Sequence, residues 1–160
     1  MECELNGSRI KYDDGKVWVW REMRGKQKLK NPDWFELKGC DNKYTGYNHV
    51  RLNKKLYLYH RVKYFIHNQE WNIHNSSTDN SIDHIDRDKS NNNIENLRNA
   101  THSQNMMNRD GKGYSFVKAR GKYMAYISVD GKRKYLGLFM TEQEAAAAYL
   151  QAKVIHHQIP

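Results

Sequence analysis

Cysteine is nearly missing from this sequence. Cys3 and Cys40 form no CxxC pair and no even framework, which argues against a cysteine-ligated zinc site and against a disulfide scaffold, and reads as two reduced thiols in a cytosolic protein. Long apolar runs are missing too. No stretch approaches ~18 consecutive apolar residues, and no charged segment followed by an apolar run of signal-peptide type opens the chain. The expectation is a soluble protein that stays inside the cell that makes it and needs no membrane. Hydrophobic residues are scarce, at 38% with a mean hydropathy of −1.01. That lies below the usual ~45–50%, so one large core is excluded and small, thinly cored modules are expected. With 160 residues, a large multi-domain enzyme is excluded and one domain plus a very small second one is allowed.

Rings and positive charge are what the chain has in quantity. Aromatic residues reach 12%, too many for a disordered chain, and such rings are normally buried or stacked on a ligand. Lys and Arg number 27 against 18 acids, a net charge of +9 with a pI near 9.5. Such a balance points to a polyanionic partner. A membrane surface would call for a basic amphipathic helix, and the one clear amphipathic helix here is alanine-rich, so nucleic acid is the better partner.

Along the chain, Lys16–Trp20 reads as a strand after the Asp14-Gly15 turn, and Tyr47–Leu52 with Leu56–His60 reads as a hairpin around Asn53-Lys54-Lys55. His60–His67 switches to helical spacing, and Asn72–Asn80 is a loop by composition. From Ser81 to Arg109 the order is strand (Ser81–Ile85), Asn-rich loop, a return strand opening at Leu97-Arg98, and a helix from about His102 to Asn108 behind a Thr101/Gln104 capping box. The glycine-rich stretch 109–113 marks a linker between modules at 1–108 and 114–160. Beyond it come three strands, Tyr114–Ala119, Tyr123–Val129 and Arg133–Leu138, joined by Arg120-Gly121 and Asp130-Gly131 turns. A helix Glu142–Ile155 then opens on a Thr141/Glu144 capping box, with Ala145, Ala148, Tyr149, Ala152 and Ile155 on one stripe. No internal repeat is present.

Asp83 and His84 are adjacent on a strand, so their side chains point to opposite faces unless the strand end twists. A helix carrying Asn105 follows, and Asn96 is placed to tie the long loop by side-chain hydrogen bonds. These residues suit phosphodiester hydrolysis, which needs a proton acceptor near neutral pH and a positive charge beside the phosphate oxygens. An imidazole supplies the first, and a hard cation on one carboxylate and one amide oxygen supplies the second. No serine or cysteine nucleophile stands in a comparable arrangement, which weakens covalent catalysis. His49, His67, His74, His102, His156 and His157 read as ordinary satisfied polar groups. His60 stays open between helix capping or packing and support of the site, and Arg61 and Arg98 stay open between phosphate contact and solvated surface.

Asp83-His84-Ile85-Asp86, Asn91-Asn92-Asn93, Asn96-Leu97-Arg98 and Ser103-Gln104-Asn105 together resemble the HNH motif of phage and intron-type homing endonucleases, a ββα-metal nuclease family. Gly46-Tyr47 and Leu58-Tyr59-His60-Arg61-Val62 are similar to the segment that precedes that motif. The resemblance implies that His84 is the general base, that Asp83 and Asn105 bind one divalent metal, and that Asn96 is a structural asparagine. Asn105 stands where many members have His, which favours Mg²⁺, or Mn²⁺, over zinc.

Gly113–Val117, Gly121–Ile127, Tyr135-Leu136-Gly137-Leu138-Phe139 and Thr141–Tyr149 resemble the APETALA2-type DNA-binding domain, a three-stranded sheet braced by one helix. Period two independently turns Ala125, Ile127 and Val129 toward the helix and Met124, Tyr126 and Ser128 outward, joined by Lys118, Arg120, Arg133 and Tyr135 as a DNA-facing strip. Ser115 and Ser128 replace the Arg or Trp of family members, and the insertion after Arg120 is missing, so the family's target sequence does not carry over.

The expected fold is therefore α+β, a ββα-metal HNH nuclease module followed by a three-stranded antiparallel sheet on one helix. The expected function is a site-directed endonuclease on double-stranded DNA, without small-molecule cofactor, acting as a monomer or dimer. The resemblance adds a homing role in a phage or bacterial genome. A non-catalytic DNA-binding regulator is the rival, and an RNA nuclease a third reading.

Overall fold

The computed structural model describes residues 1–129 and 131–157. It is mixed α and β with mostly strands, and it divides into two units, Met1–Ala100 and Thr101–Pro160. This division falls just ahead of the helix at 102–107, whereas composition puts the linker at 109–113.

The first unit opens with β1 (Glu2–Leu5), β2 (Ser8–Asp13), β3 (Lys16–Arg24) and β4 (Gln27–Glu36), an antiparallel meander in that order. The first two turns are tight because Asn6-Gly7 and Asp14-Gly15 both take positive φ, the left-handed conformation that matches strand twist in a two-residue hairpin. Only part of β3 is legible from periodicity. β1 and β2 carry charged residues at their outward positions and too few apolar ones to announce a strand. β4 contains Pro32, which an edge strand tolerates because no neighbour needs its missing N–H.

β5 (Cys40–Asp41), β6 (Asn48–Leu52) and β7 (Lys55–Leu58) make a second sheet, followed directly by α1 (Tyr59–His67). Leu5, Ile10, Val17 and Val19 from the meander, Val50, Leu52 and Tyr57 from the second sheet, and Val62 and Ile66 from α1 form one buried cluster. Val62 and Ile66 stand four apart on α1, the spacing that puts both on one helix face. β8 (Ser81–His84) and β9 (Leu97–Ala100) then pair antiparallel, with Ile82, Leu97 and Ala100 buried.

The second unit begins with α2 (His102–Met107), whose Thr101 side chain and Gln104 form a reciprocal capping box. β10 (Tyr114–Val117), β11 (Lys122–Val129) and β12 (Lys132–Phe139) form a three-stranded antiparallel sheet, and α3 (Glu142–His156), with its own Thr141/Glu144 capping box, packs on it. The first of these strands stops at Val117, and Lys118–Arg120 instead make a 3₁₀ turn closed by Gly121 at φ 60°. Asp130 of the expected Asp130-Gly131 turn lies outside the described residues.

Ala125, Ile127, Ala145 and Ala152 are buried between sheet and helix. Gly113, at φ 65°, lies under the Tyr149 ring, where any Cβ would overlap it. The apolar stripe does not continue to the helix end. Ile155 is 66% exposed, and the last turn is anchored by a polar contact instead, His157 Nε2 donating to Ser128 O at 2.9 Å.

Ile66→Ala should destabilise the first unit by ~2–5 kcal/mol, because a fully buried side chain leaves a cavity. Thr141→Ala should cost the second unit ~1 kcal/mol through loss of a cap. All four tryptophans lie at or before residue 71, so urea unfolding followed by tryptophan fluorescence reads the first unit. An unshifted midpoint for Ile66→Ala would contradict the packing described.

Candidate active site

β8 is a short strand with three successive buried residues, Ile82, Asp83 and His84, and two of those three are polar. Alternation sends the two polar side chains to different neighbours. Asp83 stands opposite Arg98 in the β8–β9 register. Arg98 Nε and Nη2 both donate to Asp83 Oδ2, at 3.0 and 2.8 Å, and both side chains are largely withdrawn from water, 18% exposed for the guanidinium and 6% for the carboxylate. A buried carboxylate needs such a partner, since its desolvation otherwise costs several kcal/mol.

His84 faces the other way, into a group of rings. Its centroid lies 4.9 Å from that of His60 on α1, edge-on, and 6.2 Å from Tyr47. Tyr47 and His60 are themselves 5.2 Å apart, and Lys89 Nζ lies 4.5 Å from the Tyr47 centroid while donating to Thr45 O at 2.8 Å. His84 Nε2 is 3.0 Å from Asn92 Oδ1. An amide oxygen only accepts, so Nε2 is the donating nitrogen of this bond.

Burial, then the neighbouring His84 and the Arg61 charge, pulls the His60 imidazole down to about 3. It is therefore a neutral packing partner for His84. It does not cap α1, whose N-cap is Leu58 without a side-chain hydrogen bond.

Asn96 organises the loop between β8 and β9. Its Oδ1 accepts from Asp86 N at 3.0 Å, and its Nδ2 donates to Asp86 Oδ1 at 2.9 Å and to Asn91 O at 2.7 Å. Its own carbonyl accepts from Ile85 N at 2.9 Å. A polar twelve-residue connection, with Ile94 its one half-buried apolar residue, is thus fixed at its neck by one amide. Hydrogen bonds from Asn91 and Asn96 hold the Asp86 carboxyl below its ordinary range, and bonds from Ser90 do the same for Asp88.

Asn105 lies on α2, in the second unit, while Asp83, His84 and Asn96 belong to the first. Arg61 and Arg98, open from sequence as phosphate contacts, are both engaged internally. Arg61 donates to the carbonyls of Asn80, Ile73 and Asn75 and lies 4.6 Å from the Trp71 ring centroid. Residue order alone does not reveal Asn92 as the His84 partner or Tyr47 as its neighbour. The Asn-rich run is visible, but nothing local says which asparagine reaches back to the strand.

In the second unit, register sets Met124 opposite Leu138, Tyr126 opposite Tyr135 and Ser128 opposite Arg133. The Arg133 guanidinium lies 4.0 Å from the Tyr126 ring centroid. Met124, Tyr135, Leu138, Val117 and Arg120 line a shallow depression of about 340 Å³. Lys118, on the 3₁₀ turn, and Ser128 are both exposed.

Residues 64–107 match the HNH endonuclease family model. The HNH segment runs from the second half of α1 through α2 and contains Asp83, His84, Asn96 and Asn105. It covers a little over a quarter of the chain, and β10 to α3 lie outside it. No curated protein and no solved structure matches the chain significantly.

Among the described residues no group of three or more His, Cys, Asp or Glu is placed to hold a metal ion. The HNH segment carries carboxylates, amide oxygens and imidazoles and no cysteine, a donor chemistry compatible with a hard divalent cation.

Two outcomes follow from the geometry. Arg98→Met should destabilise the first unit by ~3–5 kcal/mol by stranding a buried carboxylate, and Asp83→Asn in the same chain should restore much of it; urea unfolding measures both. His60 has a lowered pKa in the fold, so between about 3 and 6.5 the unfolded chain binds a proton that the folded one refuses. Its contribution is full above 6.5 and is lost as pH falls toward 3. His60→Gln should flatten the drop in unfolding midpoint between pH 7 and 5, and an equally steep drop in the variant would remove His60 as its source.

Proposed function

We propose that this protein is a DNA endonuclease that hydrolyses phosphodiester bonds with a divalent cation at its HNH segment. One observation carries the reading. Within a segment matching HNH endonucleases, a strand carries a carboxylate and an imidazole on adjacent residues, and the imidazole is hydrogen-bonded by Asn92 of the loop that follows.

The His84 imidazole takes a proton from the attacking water as the water oxygen forms its bond to phosphorus; the opposite P–O bond breaks and the departing oxygen is protonated from solvent. His60 and Tyr47 pack the His84 ring, and Asn96 ties the β8–β9 loop from which Asn92 reaches it. Asp83 and Asn105 are the residues that would hold the cation, Mg²⁺ or Mn²⁺, which when bound supplies positive charge beside the phosphate oxygens. The second unit presents Lys118, Arg120, Met124, Tyr126, Ser128, Arg133 and Tyr135 as its DNA-facing strip, supported by the cross-strand register and by the resemblance to APETALA2-type domains. One such site per chain makes a single-strand nick the product of a monomer. The homing role in a phage or bacterial genome rests on the resemblance of Ser81–Arg109 to phage and intron-type enzymes.

One observation favours a second reading, a DNA-binding regulator that retains the HNH fold without cutting. Arg98 already compensates Asp83, as it would in a site that never takes a cation.

Supercoiled plasmid with Mg²⁺ decides between them. The wild type should nick it, His84→Ala should lower the rate ~10²–10⁴-fold, and Asp83→Asn should abolish the Mg²⁺-supported nicking, with all three still retarding duplex in gels. Intact plasmid with wild type across several DNAs in Mg²⁺ and in Mn²⁺ would leave the regulator.

A further inference from the structure

The β3–β4 hairpin projects beyond its own sheet. β2 pairs with β3 only as far as Val19, so from Trp20 to Arg24 the partner of β3 among the described residues is β4, and the two continue as a two-stranded ribbon to the turn at Gly25. Nothing in the ribbon serves the core. Residues 21–28 and 30 are exposed and Leu29 is half-buried.

Its charge is one-sided: Arg21, Arg24, Lys26, Lys28 and Lys30 stand with two acids, Glu22 and Asp33, the second opposite Arg21 in register. The rest of the meander treats its cations differently. Arg9 is paired to Glu2 at 2.7 Å and lies over Trp20 and Trp34, Lys11 lies near Asp13 and the Trp34 ring, and Lys16 lies near Glu36. Arg21 is placed over Phe35. Arg24, Lys26, Lys28 and Lys30 make no ion pair among the described residues, and the three lysines recur at every second position, opposite the exposed Met23 at Lys28.

We propose that this ribbon is a second DNA-gripping element, docking on duplex DNA through phosphate contacts from Arg24, Lys26, Lys28 and Lys30. A two-stranded ribbon has the width that a B-DNA major groove, about 12 Å across, admits, and unpaired lysines on it supply sequence-independent affinity by releasing counterions from the phosphates. The ribbon would add hold on the duplex without choosing the sequence. This rests on the endonuclease reading for its choice of DNA, and the test keeps the two apart.

Binding of the full chain to a random-sequence duplex is followed by fluorescence anisotropy in EDTA over a series of KCl concentrations. The triple variant Lys26→Gln/Lys28→Gln/Lys30→Gln should lower the slope of log K against log salt by about 2–3, near 0.9 for each phosphate that is no longer neutralised, with its tryptophan-monitored unfolding unchanged. Lys16→Gln/Lys38→Gln/Lys43→Gln carries the same net charge and should keep the wild-type slope. An unaltered slope in the ribbon variant overturns the proposal, and so does an equal decrease in the control triple. A weakening seen with duplex RNA or anionic vesicles but not with DNA overturns it as well. Because EDTA removes any divalent cation, a chain that never cuts plasmid can still show the ribbon effect, and one that cuts can lack it.

Discussion

A carboxylate withdrawn from water must meet positive charge, and in the first unit that requirement falls on the pair formed by Asp83 and Arg98 across β8 and β9. The pair adds to the ladder bonds and to the buried Ile82, Leu97 and Ala100 in holding the register of two four-residue strands. That register puts His84 on the opposite side of β8, against His60 and Tyr47. The carboxylate and the imidazole are adjacent in sequence yet have separate surroundings, one charged and one aromatic. Separate surroundings give two neighbouring residues different partners, a guanidinium for Asp83 and rings for His84.

The loop that follows works by the same economy of means. With only Ile94 half-buried between Ile85 and Asn96, packing contributes little, and asparagine and aspartate side chains bond the backbone instead. Asn96 closes the neck, Asn92 reaches His84, and Asp86 gathers Asn91 and Asn96. The second unit shows the complementary solution. There a small sheet is covered by an alanine-rich helix close enough for Tyr149 to lie over Gly113, so little apolar area is needed to define the fold.

Much of this is legible from residue order alone. Both capping boxes, the strand–loop–strand–helix sequence after Ser81, and the three strands before α3 are local features, set by spacing and by side chains reaching three residues along. The N-terminal meander is mostly illegible, because β1, β2 and β4 carry charged residues on their outward face and hide their alternation. Ile155 misleads for a different reason. Helical period assigns it to the buried stripe, but burial requires a partner surface, and there the contact is His157 with Ser128.

Sequence by itself determined where the chain turns, which segments coil into helices, and which residue types are at hand for chemistry on a phosphate, because backbone sterics and hydrogen bonds within a few residues decide those. Tertiary structure decided what each such residue faces. Arg98 became the counter-charge of Asp83, Arg61 was locked onto three carbonyls, and His60 became a neutral companion of His84. Desolvation and pairing between distant residues arise only when strands and helices pack, and no local spacing encodes them.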